Sequence, residues 1–571
     1  MKFLSVTFFL ALAALALGAA SGMSGSPADE AEPPFDLLIA GGQVVDGTGN
    51  PSYVGDVGIL KGRIVAVGKL AGRPARRTID ARGLIVAPGF IDMLGQSEIT
   101  LLVDGRAESK IRQGITTEIT GEGGSVAPQN EKTLHEFQES LDPLGVKANW
   151  RTLAEYFARL ESQGTAINLG SNVGAEQVRR AVLGSENRTP TAAELAEMKR
   201  LVAQAMEQGA MGVSTALVYA PGTFAKTEEL VELARVAASY GGVYSSHIRN
   251  EGAQIFEALE EAFRIGREAR IPVHIYHLKV AGKPMWGRMP EVIRRIEQAR
   301  AAGLEVTADM YAYLAGATSL GASLPPWALE GGREKALERL RDPAERRRMR
   351  KEIGMAAQSW QNFYFAAGGA ENVLISFVVN EKLRPLQGKR LSEAAQIRKQ
   401  EPLDALFDIL IEDRLQTGAI YFLMSEADVE SAIPQPWMSF GCDAEAVRPD
   451  GILGKYRPHP RAYGNFPRIL AHYVREKQLL PLEPMIRKMT WLPAQTMRLD
   501  HRGLLAAGMW ADVTVFDFAR LRDLATYENP HQFSEGMRYV IVNGEVVLDN
   551  GTMTSALPGR VLRGPGTRPA P

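Results

Sequence analysis

The sequence predicts an α/β fold, a (β/α)₈ TIM-type barrel joined to a small discontinuous β-sandwich domain. Three observations predict it. Apolar strand-like runs alternate with Ala/Glu/Arg-rich segments of helical period through the middle of the chain, eight such units can be counted, and a β-rich texture recurs at both ends. Eight units suit a closed parallel barrel, although a doubly wound open sheet gives the same alternation.

The strand candidates are LIVAPGFID ending at Asp92, TTEITGE at Glu122, TAINLGSNVG at Gly174, MGVSTA at Ala216, GVYSSHI at Ile248, IPVHIYHLK at Lys279, LEVTADMY at Tyr311 and PWMSFGCD at Asp443. Helical partners such as Thr227 to Tyr240 and Gln254 to Ala269 occupy the intervals. After a Pro- and Ser-containing linker from Ser24 to Pro34, FDLLIAGGQVVDGTGN and its continuation read as short β-rich runs split by Gly and Asn, the composition of hairpins. The same texture returns in GLLAAGMWADVTVFD and YVIVNGEVVLDNG, from Gly503 to Gly551. The sequence therefore divides into a β domain at 36–87 plus 488–563 and a barrel at 88–487. The interval 318–434 is too long for one βα connection and reads as an inserted helical subdomain. Its charged stretch AERRRMRKEIG reads as a solvated helix face.

Length and charge narrow the function. At 571 residues and 45% hydrophobic content the chain can bury a large core and more than one domain. Lys plus Arg number 65 against 66 Asp plus Glu, so no net field draws in nucleic acid or an anionic membrane, and a small neutral or singly charged substrate fits better. The opening MKFLSVTFFLALAALALGAASG joins Lys2, an apolar run from Phe3 to Leu17 and a small-residue stretch to Gly22, the layout of a cleaved export signal at residues 1–22. The apolar run is shorter than the ~20 residues that span a bilayer, so no stable membrane span is expected after cleavage and the product is periplasmic or extracellular. Cys442 is the only cysteine, which excludes an intramolecular disulfide.

Barrel enzymes keep their chemistry at the C-terminal ends of the strands. Of eight His in the chain, His247 and His277 close successive strand candidates, and neutral imidazoles at neighbouring strand ends can share one divalent ion. Each could instead be an ordinary hydrogen-bonded His. His274 has the opposite parity to His277 and is expected to face the helices. Asp443 closes the eighth candidate strand, where a carboxylate could take a proton from an activated water and return it to a leaving amine, or merely cap the following helix.

The segments PGFID, GITTEITGEGG, VYAPGTFAKTEEL, SSHIRNEG, YHLKVAG, HPRAYGNFPRIL, RKMTWLPAQTMRL and YENPHQFSEGMRYVIVNG, in that order, resemble the amidohydrolase superfamily and specifically the D-aminoacylases, or N-acyl-D-amino-acid deacylases. The resemblance implies zinc bound by His247 and His277, a catalytic Asp443, and substrate-binding roles for Tyr219, Lys279 and Arg461. Lys279 lies two residues after His277 and should share its direction. Two departures stand out. Where the family has His-x-His after PGFID, this chain has Leu94 and Gln96, and Leu cannot ligate a metal. Where the family's second strand ends in Gly-Asn-Cys-Gly, the chain reads Gly121-Glu122-Gly123-Gly124. Glu122 is expected to replace the lost thiolate, because a carboxylate is an adequate zinc ligand and the flanking glycines let the backbone turn.

The expectation is thus a single Zn²⁺ held by Glu122, His247 and His277, with Asp443 as general base, cleaving the amide of a small N-acyl amino acid, with the D form implied by the resemblance. Two rivals stand beside it. A cyclic-amide hydrolase of the hydantoinase or dihydroorotase type would be expected to keep the His-x-His pair and a carboxylated Lys. An eroded, metal-free barrel could serve as a binding protein.

Overall fold

The computed structural model describes residues 34–356 and 359–567. The export leader expected at 1–22 lies outside the described residues. Among the described residues no helix is long and apolar enough to cross a membrane.

The middle of the chain is a ring of eight parallel strands. Phe90–Asp92 pairs with Ile115–Thr120, which pairs with Asn168–Ser171. The third strand continues as Val173–Gly174 against Gly212–Ala216, followed in order by Val243–His247, Val273–Ile275, Val306–Met310 and Met438–Phe440. Backbone bonds from Met93 to the Phe440 carbonyl (3.1 Å) and from Asp443 to the Leu94 carbonyl (2.7 Å), with a parallel bridge between Gly95 and Ala444, join the eighth strand to the first. That closure decides between the two topologies the alternation allowed, because an open doubly wound sheet keeps two free edges. Helices Thr227–Ser239, Ile255–Ala269 and Met289–Ala301 cover the outer face with amphipathic stripes.

The β-rich ends meet, although more than 400 residues separate them. Ile85–Pro88 lies parallel to Leu37–Val44 and antiparallel to Val513–Phe516, so strands from both termini share one nine-stranded sheet. Register shifts at Ile39/Gly42 and Gly58/Ile59 bend it. It wraps a core of its own that includes Ile39, Val57, Ile59, Val86, Val513 and Ile541.

The inserted segment expected to be helical is mixed. It carries the helices Arg333–Arg341, Pro343–Ile353, Leu391–Arg398 and Pro402–Glu412. It also carries an antiparallel sheet of Ala315–Ser319, Gly418–Phe422 and Val373–Phe377, with Gly418–Phe422 in the centre. The runs VLISF and GAIYF are β-branched and aromatic but only five residues long, and interval length alone cannot distinguish them from turns between helices. The basic helix Pro343–Ile353 buries only Met349 and Ile353, so its Arg side chains lie outside the core as the charge pattern suggested.

Candidate active site

Four strand ends supply the site. Glu122 follows the second strand in a turn where Gly121 and Gly123 both adopt positive φ (85° and 58°). A Cβ on Gly123 would sit 2.2 Å from Glu176 Oε2 and 2.7 Å from Ala216 Cβ, so only glycine lets the turn pack under Glu122. His247 ends the fifth strand, and His277 lies two residues beyond the sixth at φ 33°.

Glu122 Oε1 lies 3.0 Å from His247 Nδ1 and 3.1 Å from His277 Nε2, and one ligand atom from each of the three residues falls within 4.8 Å of the other two. The imidazoles are nearly perpendicular (87°) with centroids 4.3 Å apart. All three residues are largely buried, and His247 Nε2 has no hydrogen-bond partner. Two imidazole nitrogens and one carboxylate oxygen aimed at a common point make up the N/O donor set that zinc takes.

Electrostatics reinforces the arrangement. Burial pushes the Glu122 carboxyl up, but hydrogen bonds from His247 and His277 outweigh it and hold the group well below the usual carboxylate range. Burial and Lys279 push His277 down, but hydrogen bonds to Glu122 and Glu251 raise it to about 10. A cation entering this cluster must therefore displace a proton. Metal affinity should rise with pH, by about tenfold per unit for each proton displaced, throughout the range below about 10 where His277 is protonated. Zinc titration calorimetry in buffers of different ionisation enthalpy checks this, and proton release near zero at pH 7 would count against it.

Asp443 lies beside the cluster, also at positive φ (48°). Its Oδ2 pairs with Arg461 at 2.8 Å and its Oδ1 lies 3.4 Å from Gln96 Nε2, which in turn donates to Glu122 Oε2 at 2.7 Å. Gln96 thus stands at the edge of the cluster as an amide donor bridging two carboxylates. Burial pushes the Asp443 carboxyl up, opposed chiefly by the Arg461 guanidinium.

The chain on both sides of Asp443 is anchored from the first strand. Asp92 Oδ1 accepts the Cys442 N–H (2.8 Å), and Lys110 Nζ donates to Asp92 Oδ2 and to the Ala444 carbonyl, each at 2.8 Å. Lys110 also lies 3.4 Å from Glu118, and all three charged side chains are fully buried. Lys110→Met would leave two buried carboxylates without their cation, and we expect it to cost about 3–5 kcal/mol. Urea unfolding at neutral pH reads this, and a cost under about 1 kcal/mol would show that the cluster tolerates the loss by taking up protons.

The structure brings the remaining expected residues to the same mouth with different commitments. Tyr219 lies edge-on to His247 (5.3 Å, 74°), and burial raises its phenol so that it stays protonated. Arg461 stacks over Tyr311 at 4.4 Å and is only 3% exposed, yet its Nε and Nη1 have no hydrogen-bond partner. Lys279 does not stand free. Its ammonium donates to Glu251 Oε1 (2.5 Å) and lies 2.7 Å from His277 Nδ1, which itself pairs with Glu251 (3.1 Å). Glu251 was missed, although it lies four residues after His247 in SSHIRNEG. It sits 3.1 Å from His277 Nδ1 on the ring edge opposite Glu122.

His274 corrects an expectation. Val273 faces the covering helix, since a Cβ on Gly266 would meet Val273 Cγ2 at 2.4 Å, so His274 faces the barrel interior. There it bonds Thr307 (2.9 Å) and Asp309 (2.8 Å), and Asp309 accepts the His277 N–H (3.0 Å). The parity argument failed because the sixth strand stops at Ile275 and the positive φ at His277 reverses the side-chain direction. His274 therefore supports His277 through Asp309.

A parallel barrel with a carboxylate and two imidazoles converging at its mouth, next to a second carboxylate, defines the class of metal-dependent hydrolases. Comparison with known proteins narrows this. Residues 437–548 match the amidohydrolase family. The chain is 36% identical over 530 residues to a D-aminoacylase of Alcaligenes xylosoxydans xylosoxydans, covering 93% of this chain and 98% of that protein. The structure of an N-acyl-D-glutamate deacylase from Bordetella bronchiseptica, complexed with zinc and a phosphonate mimic of the tetrahedral intermediate, superposes with a TM-score of 0.78 at 34% identity, covering 93% of this chain and 100% of that one. A D-aminoacylase with a binuclear metal centre, activated by one metal and attenuated by the second, superposes with a TM-score of 0.77 at 36% identity over the same shares. The chain belongs to the D-aminoacylase family of amidohydrolases.

Proposed function

We propose that this protein is a zinc-dependent N-acyl-D-amino-acid deacylase that works with one ion. The observation that carries the reading is the convergence of Glu122, His247 and His277 on one point next to Asp443. Glu122 takes the place of the family's thiolate. Leu94 and Gln96 offer no imidazole for a second ion, and the Gln96 amide instead tethers Glu122.

Glu122, His247 and His277 would hold the zinc, which would activate a water for attack and polarise the acyl carbonyl. The chain's own groups do the rest. Asp443, ionised and within reach of the mouth, accepts the proton of the attacking water and delivers it to the amide nitrogen as the C–N bond breaks, giving a carboxylic acid and a free amino acid. Protonated Tyr219 donates a hydrogen bond to the substrate oxygen at the wall beside His247. Arg461, with two unpartnered guanidinium nitrogens, receives the substrate carboxylate, and Lys279 fixes Glu251 and His277 rather than touching substrate. The leader read at residues 1–22 sends the enzyme out of the cytoplasm.

The test is hydrolysis of N-acetyl amino acids of both hands by purified enzyme, stripped of metal and then reloaded with zinc. The reading predicts zinc-dependent release of the free D-amino acid, and it fails if release is indifferent to chelator. Arg461→Met should raise KM about 10- to 100-fold, the value of a charge-assisted bond of roughly 1.5–3 kcal/mol. Because Arg461 holds the Asp443 carboxyl down, the same change should move the acid limb of kcat/KM to higher pH. A shift to lower pH would contradict the assignment of that limb to Asp443.

A further inference from the structure

The mouth of the barrel is a cavity of about 840 Å³ that runs from the Glu122, His247 and His277 cluster well beyond it. That lies near the upper end of the range of about 300–1,000 Å³ typical of sites for drug-sized ligands. An N-acetyl amino acid would leave most of it filled with water.

The shape of the excess is informative. Helix Glu131–Leu141 and the turn Asp142–Leu144 follow the second strand and present Phe137, Leu141 and Leu144 to the cavity, and Ile99 joins them from the loop after the first strand. These residues form an apolar wall on the arc of strands one and two, the same two strands that are followed by Gln96 and Glu122. The carboxylate-seeking end is centred on the seventh and eighth strands: Arg461 stands over Tyr311, which follows the seventh, pairs with Asp443 at the end of the eighth, and has the Ala317 carbonyl as a backbone acceptor. A substrate whose carboxylate meets Arg461 and whose scissile carbonyl sits at the cluster sends its acyl group away from Arg461.

From this we infer that the preferred substrates are N-acyl amino acids whose acyl group is a long apolar chain, seated on the wall of Ile99, Phe137, Leu141 and Leu144. The inference rests on the deacylase reading above. An acetyl group offers that wall a single methyl. Each methylene that leaves water for an apolar surface is worth about 0.8 kcal/mol, roughly a fourfold gain in binding, and the gain appears in kcat/KM as long as the wall holds the chain equally in the transition state.

The experiment measures kcat/KM of the zinc-loaded enzyme for one D-amino acid carrying an acetyl, hexanoyl or decanoyl group, held below the aggregation limit of the longest. The expected result is a rise of at least tenfold from acetyl to hexanoyl and a further rise to decanoyl. Leu144→Glu, at a half-buried position, should lower the decanoyl value at least tenfold more than the acetyl value. A flat or falling series with acetyl cleaved well overturns the inference and leaves the deacylase reading intact. No cleavage at any chain length overturns the deacylase reading itself.

Discussion

Replacing Asp443 with asparagine lowers kcat by about 10² to 10⁴, the contribution of a positioned proton-transfer group, and leaves zinc content at the wild-type level. The two halves of this expectation come from the same geometry. Asp443 bonds Arg461 and lies near Gln96 and makes no bond to His247 or His277, so its loss removes the proton carrier without removing a donor to the ion. Its backbone is held independently by Asp92, Lys110 and Leu94, so the asparagine should keep the loop in place. The wild-type acid limb should lie above the ordinary aspartate value, because burial raises this carboxyl more than Arg461 lowers it. Activity then grows as pH rises through that value and the group ionises. The asparagine variant should lose the limb along with the rate. Pre-steady-state hydrolysis across pH, with metal analysis of the same samples, decides the matter; a variant that keeps wild-type kcat would remove Asp443 from the mechanism.

His247→Ala has the opposite signature. It removes one of three donors, so zinc affinity falls by more than the 10- to 100-fold typical of losing an outer partner, and activity at limiting zinc falls with it. Excess zinc should restore part of the activity, because Glu122 and His277 still converge. Zinc that binds only the folded state also raises the melting temperature, by an amount set by the ratio of its concentration to its dissociation constant. The variant should lose most of that rise. Gln96→Ala is the control that separates holding Glu122 from ligating. It frees one carboxylate oxygen and should weaken zinc only within the outer-partner range. If His247→Ala bound zinc as tightly as the parent, the cluster would not be the metal site.

Much of this was legible in the chain, for reasons that particular residues make plain. The strand runs carried their own β-branched and apolar signal, and their C-terminal ends placed Glu122, His247, His277 and Asp443 at one mouth, because a parallel barrel puts every strand end on the same face. What could not be read depends on where a strand stops or on which distant group comes near. His274 and His277 were assigned opposite directions by a parity that holds only while the strand continues, and the strand ends at Ile275. Lys279 looked available because its partner Glu251 comes from a different loop. Gln96 looked like a lost ligand, and only its distance to Glu122 shows the amide serving as a tether. The small sheet above the barrel was hidden by strands too short to outweigh the helices around them.

The most direct test of the account is anomalous diffraction at the zinc edge from zinc-loaded crystals. The account predicts one peak, within about 2.0–2.2 Å of a Glu122 carboxylate oxygen, His247 Nδ1 and His277 Nε2, with no second peak beside Gln96. A peak seated elsewhere, or a Glu122 side chain turned away from the ion, would contradict it.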